Sequence, residues 1–196
     1  MKTDIILTGV GGQGILSVAA IIAATALRKG MYVKQSEVHG MSQRGGDVQS
    51  NLRISDKPIA SDLIPMGKAD IVLGLEPIEA LRYAHYLKKD GWLIANSTPY
   101  KNIPDYPPIE DVLAEIKKFP NHIILDADTE AKKLGSSLVA NVILVGAVSP
   151  YLGLEYKDLE EGIREIFGRK GESVVELNLK ALKKGLELSQ EFVKIK

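Results

Sequence analysis

The chain contains no cysteine. That excludes disulfides, thiolate nucleophiles and cysteine-ligated zinc or iron-sulfur centres held by this chain, so any redox metal it serves belongs to another. An excess of either charge is also missing, with 25 lysines plus arginines against 25 aspartates plus glutamates. No overall field therefore draws the protein to nucleic acid or to an anionic membrane, and an anion site has to be local. The longest nearly apolar stretches, GILSVAAIIAATAL and SLVANVILVGAV, stay below the ~18 to 20 residues of a membrane span. The N-terminal MKTDIILTG has too short an apolar run for a signal peptide, and the chain reads as cytoplasmic. There is neither internal repeat nor low-complexity segment. A length of 196 residues with 45% hydrophobic and 26% charged residues suits one folded domain over 1–196.

What is present alternates. Residues 4–8, DIILT, form a short buried strand ending on a glycine cluster, and an alanine-rich helix is expected from Ile15 to about Lys29, buried on more than one side and ended by Gly30. MYVKQ and the alternating DVQSNLRI, with Val48, Leu52 and Ile54 on one face, are strands expected to pair. ADIVLGL is another strand, followed by a helix over PIEALRYAHYLKK that Gly91 stops. WLIAN and HIILDA are strands around a proline-rich connection and a helix at IEDVLAEIKKF. After Asp126 the periodicity is helical to the end, with Val174, Leu177, Leu179, Leu182, Leu186 and Phe192 along one amphipathic face. The pattern implies an α/β fold: an open, mostly parallel, Rossmann-like sheet with helices on both faces and a helical C-terminal tail. Such sheets bind ligands at the carboxyl ends of their strands.

GVGGQG has the spacing glycine-x-glycine-x-x-glycine at Gly9, Gly11 and Gly14, with Gly12 and Gln13 between, and it joins a strand to a helix. A dinucleotide site also needs an acid at the end of the second strand to hold a ribose. Tyr32, Val33 and Lys34 occupy that region, and Glu37 comes late, in the loop. A turn serving strand-to-helix packing and a turn contacting a phosphate or carboxylate both remain open.

The second glycine-rich segment, HGMSQRGG, offers His39, Met41, Ser42, Gln43, Arg44, Gly45 and Gly46 where the second strand meets the third. In a parallel sheet that end lies beside the first glycine turn, so two glycine loops should face each other. Arg44 can fork two hydrogen bonds to a carboxylate or phosphate. The plainer alternative is a surface hairpin with a solvated arginine, although Met41 between polar neighbours favours a loop gripped by a ligand or partner. No spacing supplies His39 with a nucleophile or carboxylate, so catalytic residues are unassigned. His85 and His122 read as structural.

Taken together, GVGGQGILSVAAIIAATALRKG and SEVHGMSQRGGDVQSNLRIS resemble the gamma-type domain of the 2-oxoacid:ferredoxin oxidoreductase family, and HGMSQRGG is most similar to its indolepyruvate branch. The resemblance spans nearly the whole chain, ADIVLGLEPIEALRY included. It implies a small subunit of an enzyme that oxidatively decarboxylates aryl pyruvates with coenzyme A, yielding an aryl-acetyl-CoA, carbon dioxide and reduced ferredoxin. Thiamine diphosphate, magnesium and [4Fe-4S] clusters are then expected on a larger alpha subunit, since this chain lacks cysteine and also lacks a GDG sequence with a downstream asparagine pair. By the same resemblance Gly9, Gly11, Gly12, Gln13 and Gly14 form a backbone cradle. Arg44 pairs with a carboxylate or phosphate, His39, Ser42 and Gln43 orient it, and Met41, Gly45 and Gly46 complete a contact with substrate, coenzyme A or partner. The competing classes are a free-standing nucleotide- or flavin-binding protein and a non-catalytic assembly subunit.

Overall fold

Strand β1 (Lys2–Val10) is buried along eight of its nine residues because both its neighbours and both its faces are occupied. The computed structural model describes residues 1–39, 45–101 and 103–195. Around β1, six strands form one sheet in the order β2-β3-β1-β4-β5-β6, with β2 at Tyr32–His39, β3 at Asp47–Ser55, β4 at Ala69–Gly74, β5 at Leu87–Asn96 and β6 at His122–Leu125. β1, β4, β5 and β6 pair in parallel, while β3 is antiparallel to both β1 and β2. Only β3 therefore runs against the rest. The short link from β2 to β3 cannot hold the dozen or more residues of a parallel crossover, so those strands close as a hairpin.

Alternation along the strands sorts the core into two layers. Ile5 and Leu7 join the larger cluster with Leu52, Ile54, Leu73 and Ile94, under helices α1 (Ile15–Arg28), α5 (Ala140–Val148), α6 (Tyr156–Phe167) and α7 (Glu172–Ile195). Ile6 points the other way, with Val72, Leu93 and Ala95, toward α2 (Pro77–Arg82) and α3 (Ile109–Ile116). A seventh helix, α4 (Ala127–Lys133), follows β6 and packs on α5. The helices thus cover both faces, as expected. Among the described residues no helix is long and apolar enough to cross a membrane.

Two expectations are corrected. The helix read over PIEALRYAHYLKK stops at Arg82; a 3-10 turn at Ala84–Tyr86 follows, and Leu87 to Asn96 is strand. Tyr83, His85 and Tyr86 close on one another as rings, and Lys88 bonds Asp70 of β4 at 2.6 Å, so packing outweighs helical propensity here. Gly91 is no helix stop; it lies inside β5 where the register against β4 shifts. The second correction lengthens β2, which continues through Glu37 opposite Ser50 to His39 opposite Val48. The alternating partner strand carries the ladder further than MYVKQ alone indicates. The C-terminal face packs within the molecule: Leu182 is fully buried, and Val174, Leu177, Leu179 and Phe192 lie against the larger core.

Candidate functional site

At the carboxyl edge of β1 the chain turns sharply. Val10 donates its amide to Gln13 Oε1 at 2.8 Å, Gln13 returns its own amide to Val10 O at 3.1 Å, and Gln13 Nε2 reaches Leu75 O at the end of β4 at 3.3 Å. The Gln13 side chain is thus committed to bracing the turn, leaving backbone as its exposed chemistry. Gly14 is the N-cap of α1 at φ 87°, and the helix begins with neither a capping side chain nor an acidic residue in its first turn. Its first amides have no intrahelical acceptor, so an uncapped start of this kind suits an anion.

The second glycine segment lies directly against the first. Gly11 donates to Gly46 O at 2.8 Å, and Gly45 donates to Gly11 O at 3.4 Å. Two turns separated by some thirty residues of sequence are therefore joined through their backbones, the juxtaposition expected from strand direction. Gly40, Met41, Ser42, Gln43 and Arg44 lie outside the described residues, and of His39 only its place at the end of β2 is described.

The model of the pyruvate ferredoxin/flavodoxin oxidoreductase family matches residues 4–188 of this chain. The chain belongs to that family. The indolepyruvate oxidoreductase subunit IorB of Archaeoglobus fulgidus is 42% identical, with 94% of each chain covered. The gamma subunit of a keto/oxoacid ferredoxin oxidoreductase from Geobacter sulfurreducens superposes with a TM-score of 0.69 at 27% identity, over 96% of this chain and 99% of that one. The 2-oxoglutarate:ferredoxin oxidoreductase of Magnetococcus marinus, solved with 2-oxoglutarate, coenzyme A and succinyl-CoA bound, shares the fold at a TM-score of 0.77 and 23% identity; the match covers 97% of this chain and 31% of that one.

Within this family member three cavities meet the joined turns. One of 370 Å³ is lined by Gly11, Gly12, Gly14, Leu16, Glu37 and Val48. Glu37, read from sequence as a loop residue, thus stands on β2 beside the turn. The intervening β3 nonetheless separates β2 from β1, so the neighbouring first and second strands of a dinucleotide site are absent from this sheet. A second cavity, of 570 Å³, opens between α1, α5 and α7.

The third, of 270 Å³, is acidic and was not foreseen: Gly45, Gly46 and Asp47 face Glu76, Glu79 and Tyr106. Glu76 is the N-cap of α2, accepting from Glu79 N at 2.9 Å, and it also accepts from Tyr100 N at 3.2 Å and from the Tyr106 hydroxyl. Burial pushes the Glu79 carboxyl up despite its pairing with Arg82, and burial followed by hydrogen bonding to a carboxylate pushes the Tyr83 and Tyr106 hydroxyls up. The sequence signal was the run Glu76-Pro77-Ile78-Glu79, which reads as a helix start and hides a buried carboxylate whose tyrosine partner comes thirty residues later. Asn96 was also missed. It ends β5 by donating to Leu75 O and Asp128 Oδ2 and accepting from Ala127 N, tying β4, β5 and α4 at this edge.

Gly14→Ala tests the turn. A side chain there adopts the left-handed region, at ~1–2 kcal/mol, and its Cβ would stand 2.4 Å from Asn141 Nδ2, which donates to Gly14 O at 3.3 Å. The expected loss is about 2 kcal/mol or more, read as a lower urea midpoint at unchanged slope. In an Asn141→Ala background only the backbone part should remain.

Proposed function

We propose that this chain is the small subunit of a heteromeric oxidoreductase that converts indolepyruvate and related aryl pyruvates, with coenzyme A and oxidised ferredoxin, to aryl-acetyl-CoA, carbon dioxide and reduced ferredoxin. The carbon–carbon bond to the carboxylate breaks, a carbon–sulfur bond to coenzyme A forms, and two electrons leave to ferredoxin. The observation that carries the reading is the backbone junction of Gly11 with Gly45 and Gly46 beside an uncapped α1, in a member of this family. The name of the Archaeoglobus relative supports the aryl-pyruvate substrate, and the ligands of the Magnetococcus enzyme support coenzyme A.

Thiamine diphosphate with magnesium would supply the decarboxylation and [4Fe-4S] clusters the electron path. This chain has no thiolate for a cluster, and among its described residues no group of three or more histidines, aspartates or glutamates is placed to hold a metal ion. Those groups are assigned to the larger subunit. What this chain contributes is binding and assembly. The amides of the turn from Gly9 through Gly11, Gly12, Gln13 and Gly14 present a partial positive charge, and Arg44 pairs with a phosphate or carboxylate of coenzyme A or substrate. His39, Ser42 and Gln43 orient that group.

Exposed apolar side chains stand beside the junction: Leu16, Val38 and Ile103 are each about half exposed or more. They suit contact with the larger subunit, together with Met41, Gly45 and Gly46. Anaerobic purification of the native complex, with subunit masses, iron and thiamine measured together, tests the assignment. A larger cluster-bearing, thiamine-bearing partner and turnover of aryl pyruvates are expected; isolation of this chain alone and free of iron would sink it. Within the active complex, Arg44→Ala should raise a Michaelis constant for coenzyme A or aryl pyruvate by roughly tenfold or more, as the loss of a charge-assisted bond predicts. If both constants and assembly were unchanged, Arg44 would have no such role.

A further inference from the structure

We infer that the 570 Å³ cavity between α1, α5 and α7 binds a planar aromatic carboxylate that carries an N–H donor. This chemistry is shared by the substrate of the reaction proposed above and by the free acid of its product, and the choice of ligand rests on that reading. The site itself rests on the lining.

One wall is apolar, built from Leu138, Leu144, Phe167, Val174 and Leu177. Leu138 is 85% exposed, an apolar side chain left at the rim. Such a wall suits a flat hydrophobic body, and the volume falls in the range of small-molecule sites. Lys170 also lines the cavity, with Nζ 5.3 Å from the centre of the Phe167 ring, and it forms no ion pair among the described residues. A cation held beside an aromatic wall without a carboxylate of its own is a partner for a ligand's carboxylate.

Asn178 is the third element. It is only 4% exposed and lines the cavity; its Nδ2 donates to Val174 O at 2.8 Å, and its Oδ1 receives no donor among the described residues. That acceptor is left to whatever occupies the cavity, and a ligand N–H such as that of indole would pair with it. Lys170 is the one basic side chain of the lining and the Asp128 carboxylate is part of it, so the side chains offer a single positive charge. One negative charge, a flat apolar body and one N–H donor match all three features.

The test is calorimetric titration of the native complex, prepared without thiamine diphosphate so that no turnover occurs, with indole-3-acetate and separately with indole-3-pyruvate. We expect one site per small chain, which Lys170→Glu and Asn178→Leu each weaken by about tenfold or more and Lys170→Arg preserves. The tighter of the two ligands identifies product acid or substrate as the occupant. Binding that survives both Lys170→Glu and Asn178→Leu would place the ligand on the larger chain and overturn the proposal, as would no binding at all. The reading of the reaction fails separately, through a thiamine-loaded wild-type complex that turns over no aryl pyruvate; the binding result stands or falls without it.

Discussion

Gly185→Ala is expected to destabilise the protein by about 3 kcal/mol or more, although alanine is the better helix former by about 1 kcal/mol. The reason is the crossing of α5 and α7. A Cβ placed on Gly185 would stand 1.8 Å from Ile143 O, and one on Gly146 would stand 2.0 Å from Leu182 O. Both obstacles are backbone carbonyls, which no rotamer change removes, so the helices must move apart. Around this crossing Ile143, Leu144, Ala147 and Leu182 are all buried, and separation weakens their contacts together. For a chain of this size each kcal/mol lowers the melting temperature by roughly 2–4 °C, so a drop of several degrees should appear by circular dichroism. Gly168→Ala is the control. That residue ends α6 at φ −53° with open space where a Cβ would go, and alanine there should be neutral or stabilising by up to about 1 kcal/mol. Equal stability of the two variants would show that α5 and α7 do not approach this closely.

The second large effect belongs to Arg53→Met. Asp4 and Arg53 stand directly opposite each other on β1 and β3, with Arg53 Nε 2.8 Å from Asp4 Oδ1 and Nη2 3.1 Å from Oδ2. The aspartate is fully buried, and the arginine side chain is 12% exposed. Removing one member of such a pair leaves a buried charge, at about 3–5 kcal/mol. Here Lys2 Nζ remains 2.7 Å from Asp4 and softens that loss, placing the expected effect at the lower end of the range. Arg53 also donates through Nη1 to Ser61 O and Leu63 O, so its loss should release the β3–β4 connection. Hydrogen exchange should quicken across residues 56–66 before global unfolding. Asp4→Leu combined with Arg53→Met should recover much of the stability, because an apolar pair avoids the stranded charge. A double variant no better than Arg53→Met alone would shift the weight to the Ser61 and Leu63 bonds.

Most strands were legible because each is a short apolar or alternating run bounded by glycine, and periodicity is local information. The junction of the two glycine segments was legible for a further reason: once β2 is read as running with β1, the turns at their ends must be neighbours. The failure at Tyr83 to Asn96 has an equally specific cause. PIEALRYAHYLKK carries helical signals throughout, but the pairing of β5 with β4 is a long-range term that no window contains. Glu76 is the corresponding case at the site, since its partner Tyr106 lies far along the chain.

Composition and motif alone determined that this chain holds no thiolate centre, that its charge is balanced, and that strands and helices alternate around two glycine-rich turns. Each of these follows from residue identity or near-neighbour spacing. Only the tertiary structure decided that Gln13 braces its own turn, that β3 enters antiparallel between β1 and β2, and that Glu76 and Glu79 are buried beside Gly46. It also decided that Lys170 and Asn178 share one cavity, and that Gly146 and Gly185 let two helices touch. Those facts depend on which distant segments come within a few ångströms of one another, and that is set by packing the whole chain at once.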